Sequence, residues 1–139
     1  PGLVMGRWLS QALIVGLGGF LGAVLRFGTG TAVTRYLPPI SFPVGTLLVN
    51  WLGCLVIGMA LGIIDVRGSF TGNVRLFMMV GLLGGFTTFS AFGAETLLLW
   101  RDGGTVRAAL NILAQVVGGL ALAWLGFRLG GGLGRGSWG

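Results

Sequence analysis

The chain has 139 residues, 54% of them apolar and 9% charged, with a mean hydropathy of +0.93; a soluble domain carries about 25% charged residues, so a water-exposed globule is excluded and an integral membrane protein with room for four spans of about 20 residues is implied. All nine basic residues are arginines, scattered singly near the ends of apolar segments, the pattern of interfacial anchors rather than of a nucleic-acid surface. There is no histidine and one cysteine, Cys54, inside an apolar segment, which excludes an intrachain disulfide, a zinc site and Cys–His catalysis.

Residues 1–8 read as a short lead with Arg7 and Trp8 as interface anchors. The first apolar segment is too long for a signal peptide and no small-residue cleavage site follows it, so it is expected to be retained as a span over 9–33. Gly18 and Gly22, and Gly19 and Ala23, are small residues four apart, a helix-packing signal. Arg26 lies inside this span and must either pair or face the protein interior, or snorkel to an interface. Pro38-Pro39 stops the helix and Pro43 suits the first turn of the next. The second span, 44–64, contains one strongly polar side chain, Asn50. An unpaired amide in hydrocarbon costs several kcal/mol, so Asn50 must face a partner helix or line a cavity.

The third span, 74–100, carries Gly84-Gly85-Phe86-Thr87-Thr88-Phe89-Ser90-Ala91-Phe92-Gly93-Ala94-Glu95. Paired glycines followed by paired threonines are poor helix formers. Residues 84–88 therefore predict a break in the transmembrane helix at mid-membrane, where freed carbonyls, amides and half-helix ends can hold ions. The alternative is a Gly/Thr-rich packing face. Phe89 and Phe92 share a face if the second half is helical, which by itself suits lipid or core. Glu95 is a second buried charge. Arg26 precedes Arg35 by nine residues and Glu95 precedes Arg101 by six; at about 1.5 Å per residue these depths are similar, and an Arg26–Glu95 structural pair is expected. In the fourth span, 106–129, Asn111 and Gln115 are four apart and share a face, turned to a partner helix or an aqueous path. The glycine-rich tail, 130–139, is expected to be disordered, and residues 1–139 form a single transmembrane domain.

With four spans, Arg7, Arg67, Arg75, Arg128 and Arg135 fall on one side of the membrane, and Arg26, Arg35, Arg101 and Arg107 on the other. The positive-inside rule then chooses no orientation. A chain that inserts both ways can form an antiparallel homodimer, and four short helices cannot enclose a polar path unaided.

Thr46-Leu-Leu-Val-Asn50-Trp-Leu-Gly53, the Gly84–Glu95 stretch and Gly19-Phe-Leu-Gly22-Ala-Val-Leu-Arg26 together resemble the small fluoride channels called Fluc or CrcB, over roughly residues 10–130. The resemblance implies an all-α membrane protein of four helices with a broken third helix. It also implies a dual-topology homodimer with two fluoride pores and a central structural Na⁺. By motif position, Gly84 and Thr87 would offer carbonyls to the Na⁺. Phe89 and Phe92 would be pore phenylalanines, Asn50 the pore-lining amide, and Thr88 and Ser90 nearby hydroxyls. The fourth helix departs from the family pattern, with Asn111, Gln115 and Gly119 where a tyrosine and small hydroxyl residues are frequent. Such donors, with the positive edges of phenylalanine rings, suit a small, strongly hydrated anion, and carbonyls suit a hard cation.

The implied partners are fluoride, a second copy of the chain and the lipid bilayer, with no nucleic acid. The implied location is the bacterial inner membrane, and all-arginine usage with high glycine suggests a GC-rich genome. A proton-coupled multidrug-type exporter needs a titratable carboxylate at its substrate site, for which Glu95 is the candidate. A non-transporting structural subunit would explain the glycines but not the burial of Asn50, Asn111 and Gln115. An enzyme is least supported, because no nucleophile–base pair is visible.

Overall fold

The computed structural model describes residues 2–37, 42–68, 70 and 72–135. Among them there are helices and turns and no strand. Helix α1 is Gly2–Tyr36 and α2 is Val44–Arg67. Helix α3 covers 72–86: it starts as Gly72–Arg75, widens into π winding over Leu76–Leu83 and tightens again over Gly84–Phe86. Helix α4 is Phe89–Arg101. Helix α5 covers 105–135, with π winding over Ala114–Gly118 between Thr105–Leu113 and Gly119–Arg135. α1, α2, the α3–α4 run and α5 are each long and apolar enough to cross a membrane.

The helix ends follow the local chemistry. Pro43 has no N–H to leave unsatisfied at a helix start, and its carbonyl accepts from Leu47 N–H at 3.1 Å as α2 begins. α2 ends at Gly68, whose φ of 62° is the left-handed conformation glycine adopts without steric penalty; its N–H returns to Ile64 O at 2.8 Å. Two expectations at the ends change. α1 is helical from Gly2, and α5 runs on to Arg135, so the first part of the supposed tail is helix. Pro38-Pro39 and residues 136–139 lie outside the described residues.

Two helix pairs meet backbone to backbone. α1 packs on α3, and α2 packs on the second half of α5. A Cβ on Gly18 would stand 2.5 Å from Phe77 O, on Gly81 2.8 Å from Val15 O, and on Gly85 2.5 Å from Gly19 O, while on Gly22 it would overlap Leu82 O. The second seam repeats this. Gly58 and Gly62 lie against the carbonyls of Ala123 and Phe127, and Gly126 and Gly130 against those of Leu55 and Met59. Each pair is spaced by four residues, one helical turn, so only hydrogen faces the partner at each crossing. Side chains are thereby turned outward: Val49 is 2% exposed, but Leu13, Leu17, Phe20 and Phe27 stand on the surface, as suits a lipid-facing wall.

The glycines also revise the expected break at 84–88. Gly84–Phe86 are helical, Gly85 is a packing residue against α1, and the non-helical backbone narrows to Thr87 and Thr88. Packing belongs to the glycine, and extended backbone to the two threonines. The interruption lets the two segments take different neighbours: α3 lies on α1, and α4 lies on the start of α5.

The seam predicts an asymmetry between glycines. Gly126→Ala, whose Cβ would overlap Leu55 O, should destabilise the fold by about 1–3 kcal/mol. Gly132→Ala, with nothing within 4 Å, should be close to neutral. Thermal unfolding in detergent micelles reads both, and equal melting temperatures would refute the seam.

Candidate functional site

The site is built where the helix stops. Thr87 (φ −79°, ψ 159°) and Thr88 (φ −151°, ψ 112°) are extended. An extended residue turns its own N–H and C=O to the same side, as in a hydrogen-bonded strand pair. The Asn50 carboxamide meets both: Oδ1 accepts from Thr88 N–H at 2.8 Å and Nδ2 donates to Thr88 O at 3.1 Å. Asn50 thus takes the place of the missing helical partners. Its remaining N–H goes to Gln115 Oε1 at 3.0 Å. Gly53, one turn along α2, lets Thr87 sit down, since a Cβ there would overlap Thr87 Cγ2.

The neighbouring ends are closed locally. Thr87 N–H and Oγ1–H both reach Leu83 O at 3.0 Å. Thr88 caps α4, with Oγ1 accepting from Ala91 N–H at 3.2 Å and lying 3.3 Å from Ser90 Oγ. Trp51, beside Asn50, donates its Nε1–H to Ala114 O at 2.9 Å, where π winding begins and the carbonyl ladder is disturbed. Gly118 makes room for the Trp51 ring.

Two cavities flank the break and share Thr88. The smaller, about 380 Å³, brings together Asn50, Gly84, Thr87, Phe89, Phe92 and Gln115, with Cys54 also on its wall. The Phe89 and Phe92 rings stand edge to face, 5.3 Å apart at 68°. Phe89 is 82% exposed. The larger cavity, about 810 Å³, is lined by Arg26, Thr46, Ser90 and Glu95 among others.

The expected Arg26–Glu95 pair does not form. Arg26 Nη1 donates to Thr87 O at 3.2 Å, and Glu95 Oε1 accepts from Thr46 Oγ1 at 2.6 Å, though both residues line the larger cavity. Equal depth along two helices does not fix lateral position, and a carbonyl released at the break is a nearer acceptor for the guanidinium.

The polar stripe of the fourth span divides as well. Gln115 joins the smaller cavity, whereas Asn111, 0% exposed, donates through Nδ2 to Thr96 Oγ1 at 2.9 Å. Thr96 in turn donates to Phe92 O at 2.7 Å, so Asn111 ties α5 to α4. Among the described residues, Glu95 Oε2, Asn111 Oδ1 and Gln115 Nε2 are buried with no hydrogen-bond partner. Sequence patterns assign no role of their own to Thr46, Trp51, Gly53 or Thr96. Thr46 and Asn50 lie one turn apart on α2, and that spacing was the available signal for the first of these.

Residues 13–127 match the family described as CrcB-like protein, Camphor Resistance (CrcB). The chain belongs to the CrcB family. Among curated relatives of this CrcB chain, the fluoride-specific ion channel FluC of Methylobacillus flagellatus is 47% identical over 121 residues, covering 87% of this chain and 94% of the relative. A protein of the same name from Thermus thermophilus is 46% identical over 125 residues, covering 90% and 98%. That from Nitratidesulfovibrio vulgaris is 40% identical over 122 residues, covering 88% and 98%. The family match spans the break and both cavities and takes in α2, α3 and α4 whole and most of α1 and α5.

Replacing the amide tests its hold on the break. Asn50→Leu leaves Thr88 N–H and Gln115 Oε1 without their partner, at about 1–3 kcal/mol for a buried unsatisfied group. The variant should unfold at a clearly lower temperature in detergent, and an unchanged melting point would show that the break is held by something else.

Proposed function

We propose that this chain is the subunit of a fluoride-selective passive channel that lets cytoplasmic F⁻ leave the cell, working as an antiparallel, dual-topology homodimer with two pores. It catalyses no covalent reaction. The observation that carries the reading is the smaller cavity, which gathers the break, two phenylalanine edges and polar amides in one place, in a chain whose relatives are named fluoride-specific ion channels. Fluoride gives up tightly held water only to good donors. Neutral amides, hydroxyls and ring edges can replace that water, and without a cation among them they do not trap the ion. Arg26, in the adjoining cavity, raises the local anion concentration while its guanidinium is bound to Thr87 O. The exposed Phe89 gives a second copy a surface to cover.

In this reading the break lies at mid-membrane and a structural Na⁺ sits where the third helices of two copies cross. The donor chemistry of the chain fits such an ion. Among the described residues no cluster of His, Cys, Asp and Glu could hold a metal, so the ligands would be carbonyls, as hard cations accept. Thr88 N–H, which would serve Gly84 O in a continuous helix, goes to Asn50, and Ala91 N–H, which would serve Thr87 O, goes to Thr88 Oγ1. Gly84 and Thr87 would hold the ion, and its charge would offset the partial negative charge of these carbonyls. The physiological use follows from acid–base chemistry: HF crosses membranes and dissociates at neutral pH inside, and the trapped F⁻ leaves through the channel across the bacterial inner membrane.

Glu95 favours a second reading, a proton-coupled exporter, because its carboxylate is not neutralised by Arg26 and one oxygen has no partner. Liposomes loaded with KF and opened with valinomycin distinguish the two. The channel releases F⁻ rapidly, with little Cl⁻ from a KCl-loaded control, and a pH gradient alone drives nothing. Phe89→Ile and Phe92→Ile should each lower F⁻ release at least tenfold while the protein still elutes as a dimer. Unchanged release in both would sink the pore assignment.

A further inference from the structure

We infer that the side chain donating to the anion in the smaller cavity is Gln115, through its Nε2 amide hydrogens, and that Asn50 is a positioning residue that turns this amide the right way round. The inference rests on the reading of that cavity as a fluoride path and assigns the roles within it.

The orientation is forced link by link. A backbone N–H can only donate, so the Asn50 atom 2.8 Å from Thr88 N must be its oxygen. The other end of the amide is then the nitrogen, and it faces Thr88 O at 3.1 Å and Gln115 at 3.0 Å. A carboxamide nitrogen carries two hydrogens and accepts nothing. Both Asn50 hydrogens are therefore engaged, and the Gln115 atom they meet must be Oε1. This fixes Gln115 in turn and sends its NH₂ away from Asn50. Gln115 is 9% exposed and lines the cavity with Phe89 and Phe92, and its Nε2 is buried with no acceptor among the described residues. A buried amide nitrogen without an acceptor is unfavourable. A small anion arriving beside it removes that penalty in the bound state.

The expected pore-lining donor, Asn50, is thus the wrong end of the pair. It reads the polarity of the Thr88 peptide and transmits it to Gln115. The break fixes which end of a glutamine faces the ion, and a neutral two-hydrogen donor holds fluoride without the retention a cation would impose.

The test reads the side-chain amides directly. The chain contains only two glutamines, Gln11 and Gln115, so ¹⁵N-glutamine labelling gives two NH₂ signals, and Gln115→Met assigns them. Titration of the micellar protein with KF should move the Gln115 amide protons downfield, with no equivalent shift from KCl. The Asn50 amide, labelled separately, should move less. Asn50→Asp supplies the decisive arm. Its carboxylate still accepts from Thr88 N–H but presents oxygen to Gln115, which turns over, places Nε2 on Asp and points Oε1 at the cavity. The fluoride response of Gln115 should disappear in this folded variant, and liposome F⁻ release should fall more than tenfold, as it should in Gln115→Glu. A fluoride response on Asn50 with none on Gln115, or a Gln115 response that survives Asn50→Asp, overturns the assignment. A wild-type protein that releases no F⁻ removes the channel reading, while the amide titration still decides whether Gln115 binds the ion.

Discussion

Everything at the site depends on two peptide groups that have left their helix. Extended Thr87 and Thr88 have lost helical partners, and side chains stand in for them. Asn50 from α2 takes the N–H and C=O of Thr88, Arg26 from α1 takes the C=O of Thr87, and Thr88 Oγ1 takes the Ala91 N–H in the first turn of α4. Three helices therefore converge on one short segment for a hydrogen-bonding reason. The cavities are the space left around that convergence.

The glycine seams make the convergence reachable. Backbones that touch at Gly18, Gly22, Gly81 and Gly85 bring α1 close enough for Arg26 to reach Thr87 O, and Gly53 lets Thr87 approach α2. The same contacts explain why so little side chain is buried in this subunit: the helices adhere through glycine Cα hydrogens and carbonyls, leaving leucine and phenylalanine for lipid. The π winding at Ala114–Gly118 belongs to the same scheme, since Trp51 occupies the carbonyl it disturbs and Gly118 yields to the ring.

Much of this was legible in the sequence because hydropathy and backbone chemistry are local. The four apolar runs, the discontinuity after Gly84-Gly85, the need of Asn50 for a partner and the shared face of Phe89 and Phe92 are all visible as residue types at spacings. What was not legible is lateral. Counting along helices put Arg26 and Glu95 at one depth, but two side chains at one depth meet only if their helices present them to each other, and the break offers Arg26 a carbonyl first. Asn111 and Gln115 share a helical face, yet π winding between them directs one toward Thr96 and the other toward the cavity. Gly85 belonged to packing for the same reason: its role is set by Gly19 on another helix, which no local window contains.

The arrangement also accounts for the two amides among the polar groups of the smaller cavity. A carboxamide is a neutral side chain that carries a donor end and an acceptor end a fixed distance apart, so a chain of two of them can copy the direction of a peptide bond across several ångströms. Hydroxyl groups at these positions would rotate to suit any neighbour and would impose no direction. A charged residue would impose one, but it would also set the net attraction for the ion and slow its departure. Asn50 and Gln115 keep the direction and leave the net charge at zero, which is the combination that suits the proposed path for a strongly hydrated anion.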